Sequence, residues 1–412
     1  MKQAIGVFLL IVLIYSYSIF QFSTILSKTF SFSDYRAQYT GAAMIQNGIR
    51  SNFYSLDTQY VVQKKLFLSM QRKYLLPFLS PPPVALILSP LALLPVRQGY
   101  VVLGFTLLSV LFVISFIAYR LIYIPKKVQK LLHIEPIDLL IVIAVMMPLW
   151  LSIFNSQLSI IWTLILLTSF LLVKKNKPIL SGFILAFIVL KPHLLIVPLI
   201  FFIIKKEWRI IIGMFLGCGI LILLSFYLIG WRGMVGYFQL LTQISINGAS
   251  NNIDLFAQPT LRGFLHFLFD KTLSSRTIDM FWIVGAGVVF FTTSRYWKKT
   301  NNSHLYDLQW ALMLVVSCFT SAHMHYHDLS ILLIFIIIIL NHWFLVLNKK
   351  DIVHREIFRH SKVIALLVVL VCSESLLYVK YFIPVFYFFT LYYLHRQIKI
   401  QLSMNKNQSL KE

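Results

Sequence analysis

Apolar residues run through most of the chain in stretches longer than a soluble helix needs, and short polar clusters interrupt them at irregular intervals. A helix needs roughly 20 apolar residues to cross the hydrocarbon core of a bilayer. On that measure the pattern predicts about twelve crossings, near 4–26, 99–122, 138–154, 158–173, 178–190, 192–204, 210–229, 278–294, 305–322, 328–347, 362–378 and 381–395. Several are too short to span alone, and such helices survive only when packed against protein or lining a wet cavity. Residues 80–95 are apolar, short and bracketed by Pro81, Pro82, Pro83 and Pro95, which reads as a re-entrant or interfacial segment. Two polar segments are too long to be turns. The first, 27–80, has amphipathic stretches near 35–48 and 58–74; the second, 230–277, is rich in Gly, Asn and Gln. No internal repeat or second soluble domain is visible. The reading is one all-α polytopic membrane domain over 1–400 with a short tail at 401–412.

Composition fixes the class. Of 412 residues, 58% are hydrophobic and 12% charged, with a mean hydropathy of +0.79, whereas soluble proteins carry about 25% charged residues. Most of the surface must therefore face lipid, which excludes a cytoplasmic enzyme, a disordered chain and a secreted disulfide scaffold. The net charge of +23 does not point to nucleic acid, because the Lys and Arg residues sit in short loops between apolar runs, where they set topology. The clusters Lys126/Lys127/Lys130, Lys174/Lys175/Lys177, Lys205/Lys206/Arg209 and Arg295/Lys298/Lys299 fall on one side, expected to be the cytoplasm, together with both chain ends. Segment 4–26 reads as an anchor, since no small-residue cleavage site follows it. Cys218, Cys318 and Cys372 lie inside apolar runs without metal spacing or an evident disulfide partner.

Polar groups at a membrane are costly, so their placement is informative. Under this topology five distant segments bring polar residues to the outer face. They are Asp34-Tyr35-Arg36, Asn155-Ser156-Gln157, Lys191-Pro192-His193, the second loop with Asn247, Asn251, Asn252, Asp254 and Gln258, and His323-Met324-His325-Tyr326-His327-Asp328. A water-filled cavity open to the outside is the simplest common cause. Each group has a plain alternative. Asp34 is a general base or a helix cap. Lys191 neutralises a phosphate or snorkels to the interface. Asn155 and Gln157 line the cavity or satisfy a helix break. Asp328 is a second carboxylate or an N-cap. The three alternating histidines have partial metal spacing, but without a carboxylate pair beside them hydrogen bonding is the expected role. Walker, dinucleotide and nucleophile-elbow motifs are absent.

The order of Ser33-Asp34-Tyr35, Asn52-Phe53-Tyr54, Ser80-Pro81-Pro82-Pro83, Leu88-Ser89-Pro90-Leu91, Asn155-Ser156-Gln157, Ser181-Gly182, Lys191-Pro192 and Cys318-Phe319-Thr320-Ser321-Ala322-His323 resembles glycosyltransferase family 87. That family includes polyprenyl-phosphate-mannose-dependent mannosyltransferases. The resemblance spans roughly 1–345. It implies a GT-C-type fold, a polyprenyl-phosphate sugar donor, and inverting transfer of a hexose such as mannose to a glycan or glycolipid outside the plasma membrane. It also implies that Asp34 is the catalytic base, in the first outer loop. Tyr35, Arg36, Asn155, Gln157, Lys191, His193, His323, His325, His327 and Asp328 are then expected to bind substrate. No metal or other cofactor is expected, since the lipid-linked sugar is a substrate. The chain departs from the family pattern at two places: the family often has Gly-Gln where Ser156-Gln157 stands, and Ser-Pro where Ser321-Ala322 precedes the late histidines. The rival readings are a secondary transporter or lipid flippase, which usually shows repeated halves, and a non-catalytic scaffold of envelope assembly.

Overall fold

The computed structural model describes residues 34–67, 71, 75–132, 143, 146–247, 258–298, 300, 302–348 and 383–409. The expected crossings at 4–26 and 362–378, most of 138–146, and Asn251, Asn252, Asp254 and Cys372 lie outside them. Every regular element among the described residues is helical. The outer-loop segment gives α1 (Tyr35–Gln46), α2 (Leu56–Leu66) and α3 (Pro82–Leu88), the last continued by a 3-10 turn, Ser89–Leu93. Then follow α4 (Val96–Leu121), α5 (Lys126–Leu132), α6 (Met147–Phe154), α7 (Ser159–Lys174) and α8 (Pro178–Leu185), which runs into 3-10 turns at Ala186–Leu190 and Pro192–Leu194. The second half comprises α9 (Ile196–Lys205), α10 (Trp208–Asn247), α11 (Leu261–Phe269), α12 (Ser275–Ser294), α13 (Ser303–Thr320), α14 (Leu332–Asn348, entered by a 3-10 turn at Tyr326–Ile331) and α15 (Ile383–Ser409).

Local chemistry sets the starts. Prolines occupy the first turn of α3, α6 and α8, where a missing N–H costs nothing. Ser55, Thr260, Ser274 and Asn302 accept backbone N–H groups to cap α2, α11, α12 and α13.

Among the described residues, four helical stretches are long and apolar enough to cross a membrane: Val96–Leu121, Trp208–Ile244, Ser275–Ser294 and Tyr326–Asn348. The first three turn large side chains outward, such as Phe105, Leu223 and Phe291, as lipid contact requires. The fourth is 78% buried and forms the centre of the protein. Most of the remaining expected crossings in the described region, at α6 to α9, are shorter helices, while α15 is 27 residues long but is not among the apolar candidate spans. Helices α8 and α9 are each broken or preceded by a 3-10 turn, and α3 with its turn is too short to span.

The described parts of the segment expected as a loop at 230–277, residues 230–247 and 258–277, are largely helical. Helix α10 continues to Asn247 past a kink at Gly230, whose φ of 70° belongs to the left-handed region. Arg50 donates to the carbonyls of Tyr227 and Leu228 just before that kink. Lys205 also departs from expectation. It was grouped with the cytoplasmic loop lysines, yet it is fully buried, donates to Gln309 Oε1 and Lys298 O, and lies 4.7 Å from the Tyr306 ring centroid.

The tightest helix crossing joins α8 and α10. A Cβ at Gly182 would lie 1.9 Å from Ile210 O, and one at Gly213 would lie 2.0 Å from Ile179 O. Gly182 with Ala186, and Gly213 with Gly217, are small residues four apart, the spacing that lets membrane helices meet backbone to backbone. This contact fixes the chain that leads into Lys191.

Candidate functional site

The site forms around one turn, Asn155-Ser156-Gln157-Leu158, between α6 and α7. Asn155 ends α6, its N–H returning to Leu151 O at 3.0 Å. Ser156 then takes φ 55°, a conformation costly for a side chain with a Cβ. The chain reverses, and Gln157 N–H closes on Ser152 O at 2.7 Å. Tyr100 of α4 braces this turn by donating to Phe154 O at 2.9 Å.

Each end of the turn holds one carboxylate. Gln157 Nε2 donates to Asp34 Oδ2 at 2.6 Å. Asp34 occupies the N-cap position of α1 but makes no side-chain cap, so the helix-cap alternative does not describe it. Two residues after Gln157, Ser159 Oγ donates to Asp328 Oδ1 at 2.5 Å. Asp328 is 1% exposed and also pairs with Lys191. Its Oδ2 accepts the His325 backbone N–H at 3.1 Å. Asp328 is therefore not the N-cap, which is His325, but the N3 residue whose carboxylate closes the turn's capping box. Thr163, Ser330 and Ser159 O close a small hydroxyl network behind it, with bonds of 2.9 to 3.2 Å.

The histidines follow one another around this pair. The ring of His193 lies 6.0 Å from that of His323, His323 lies 4.7 Å from His325, and His325 lies 5.5 Å from His327. His327 Nε2 stands 3.4 Å from Asp328 Oδ1, and His327 O accepts from Ser152 Oγ at 3.2 Å. The segment 321–325 is neither helix nor strand. Burial holds the His323 imidazole down to about 4, helped by His325 and Lys191 and opposed by Asp328, so it is neutral at physiological pH. Among the described residues, no three or more His, Cys, Asp or Glu side chains are grouped to hold a metal ion.

The structure thus brings Asp34, Gln157, Lys191, His193, His323, His325, His327 and Asp328 into one chain of contacts. Asn155 contributes the turn itself. Tyr35 is placed differently: it is fully buried, 5.2 Å from Tyr100 and 5.5 Å from Tyr39 between ring centroids, and sits behind Asp34. Burial pushes its phenol well above the usual range, so it stays protonated. Arg36 is also buried, which lowers its guanidinium pKa, while neighbouring Asp34 acts in the opposite direction.

Sequence reasoning missed four participants. Ser159 lies within reach of the Asn155 motif and could have been found there. Gln258, expected at the outer face but not among the substrate-binding residues, has its Nε2 3.1 Å from His323 Nδ1. Arg262 forks onto Asp279 at 2.6 and 2.8 Å and donates to Ala322 O at 3.1 Å. The signal for that pair was Asp279 itself, an acid inside an apolar run.

Together these features define a membrane-embedded helical protein with an acid, a lysine and a histidine array gathered at one end of its central helix. The pattern of glycosyltransferase family 87 matches residues 78–325, and the chain belongs to that family. It is a membrane glycosyltransferase. No curated protein matches the chain, and no solved structure matches it.

Proposed function

We propose that the protein transfers a hexose, such as mannose, from a polyprenyl-phosphate donor to a glycan or glycolipid acceptor, with inversion at the anomeric carbon. The observation that carries this reading is the turn 155–159, which holds Asp34 on one side and the Asp328–Lys191 pair on the other. Inverting transfer needs one base beside the acceptor hydroxyl and stabilisation of the departing phosphate. Asp34 is part exposed and is held by an amide N–H, which orients one oxygen and leaves the other able to take a proton. The acceptor oxygen forms the new bond to the anomeric carbon as the bond to the lipid phosphate breaks, and Asp34 receives the hydroxyl proton. Lys191, whose side chain is 17% exposed, and the part-exposed His325 supply positive charge and N–H donors for the phosphate. Pairing with Asp328 fixes Lys191 in place. The apolar outer faces of α4 and α10 suit a polyprenyl chain arriving sideways through the bilayer. The gathering of basic clusters on the opposite side supports a site outside the plasma membrane, with both chain ends in the cytoplasm.

The test is Asp34→Asn. Transfer from a panel of polyprenyl-phosphate sugars should fall by about 10²- to 10⁴-fold, with expression and thermal stability unchanged. Wild-type turnover in that variant would remove Asp34 from the reaction.

A further inference from the structure

We propose that Gln258, His323 and His193 form an uncharged subsite that binds the hydroxyl groups of a sugar ring. The inference rests on the transfer reading only for which sugar-bearing substrate fills it.

Two unmatched polar atoms flank the His323 ring. Gln258 is 4% exposed. One of its amide atoms meets His323 Nδ1 at 3.1 Å, while its Oε1 is buried with no hydrogen-bond partner among the described residues. On the other flank, His193 Nε2 is likewise buried without a partner among them. Buried polar atoms are seldom left so, and each exception calls for an explanation. The part-exposed Lys191, His193, His323 and His325 adjoin them, so a ligand can approach from this side.

The surrounding charges indicate what kind of ligand this is. Arg262, the cation near this corner, spends its fork on Asp279 and donates a further N–H to Ala322 O. The Lys191 ammonium is paired with Asp328. Arg262, the cation on the Gln258 side of His323, thus has its counter-ion in Asp279, so a phosphate is better placed beside Lys191 on the Asp328 side than at this flank. A hydroxyl both donates and accepts, so it can satisfy an amide atom and an imidazole nitrogen whichever way the amide is turned. Neutral His323 fits the same partner.

The corner is also built rigidly. Trp282 Nε1 donates to Thr320 O at 3.1 Å, Arg262 holds Ala322 O, and Gln258 holds His323. Three anchors thus run from segment 258–282 to three of the four residues 320–323. Gly263 lets Gln258 fold back closely over the start of α11, since a Cβ there would lie 2.2 Å from Gln258 O.

The experiment uses the full chain in lipid nanodiscs and three probes: decaprenyl phosphate, a decaprenyl-phosphate hexose, and methyl hexopyranosides followed by saturation-transfer NMR. Gln258→Ala should weaken binding of the sugar-bearing probes by roughly tenfold and leave bare decaprenyl phosphate unchanged. A loss confined to the sugar-bearing lipid assigns the hydroxyls to the donor, and a loss confined to the free glycoside assigns them to the acceptor. Either result supports the subsite. His193→Phe, on the opposite flank, should show the same selectivity, and the near-isosteric Gln258→Met replaces Gln258→Ala if the latter does not fold. Unchanged sugar binding in these variants, equal weakening of bare decaprenyl phosphate, or a wild type that binds no sugar probe would overturn the subsite. Failure of the wild type to bind either lipid would instead reject the polyprenyl-phosphate reading, and the glycoside arm would then decide the subsite alone.

Discussion

Asp34 and Asp328 are held two residues apart on the same turn, yet the fold treats them oppositely. Asp34 is part exposed, and its Oδ2 accepts from the Gln157 amide. Asp328 is sealed in and bonded to Lys191, to Ser159 and to a backbone N–H. An acid that must accept a proton during a reaction needs access and a free lone pair. An acid surrounded by a cation and donors resists protonation and serves as a fixed charge. Burial and partners, rather than residue type, divide the labour between them.

That division can be tested from its strongest consequence downward. Asp328→Ala leaves the Lys191 ammonium without its buried partner, and breaking such a pair costs about 3–5 kcal/mol. The expected outcome is a large fall in thermal unfolding temperature in detergent, and retention of wild-type stability would deny Asp328 its structural part. Asp34→Asn should give the reverse profile, with loss of transfer and no loss of stability. Gln157→Leu removes the group that aims Asp34. It should lower transfer by about tenfold, equivalent to one hydrogen bond of about 1.4 kcal/mol, with the melting temperature within a degree or two of wild type. A KM effect alone would show that Gln157 binds substrate rather than orienting the base. The smallest effect belongs to Ser156→Gly. Ser156 pays for a left-handed φ and buries a hydroxyl without a partner among the described residues. Glycine should therefore raise stability by about 1 kcal/mol and leave transfer intact; destabilisation would show that the hydroxyl has a role.

Ser156 also shows what the sequence revealed. The Gly-Gln that the resemblance sets against Ser156-Gln157 agrees with the backbone angle, and serine there carries a local strain. Apolar runs and prolines marked most described helices to within a few residues, because bilayer length and proline geometry act locally. Burial was much less legible. Val96–Leu121 and Tyr326–Asn348 have nearly equal hydropathy, 2.7 and 2.6, but 33% and 78% burial. Lipid and protein interior are equally apolar, so composition does not separate an outer helix from the central one. The same ambiguity hid Lys205, which reads like a loop lysine and ends among rings and carbonyls. Within the site, the polar interruptions at Asn155, Lys191 and His323 were visible as breaks in apolar runs. Arg262 was not, because the carbonyl it holds, that of Ala322, is 60 residues away, and Gln258, visible as an outer-face polar residue, gave no sign of its ring partner 65 residues on.

The backbone contact between α8 and α10 bears on how such an enzyme diversifies. Main-chain atoms meet there with no side chain between them, so the path into Lys191 does not depend on how neighbouring cores are filled. The glycines can stay constant while residues around the histidines drift, and new sugar preferences can arise without rebuilding the scaffold beneath them. For directed evolution, randomising the rim and sparing Gly182 and Gly213 is the favoured library.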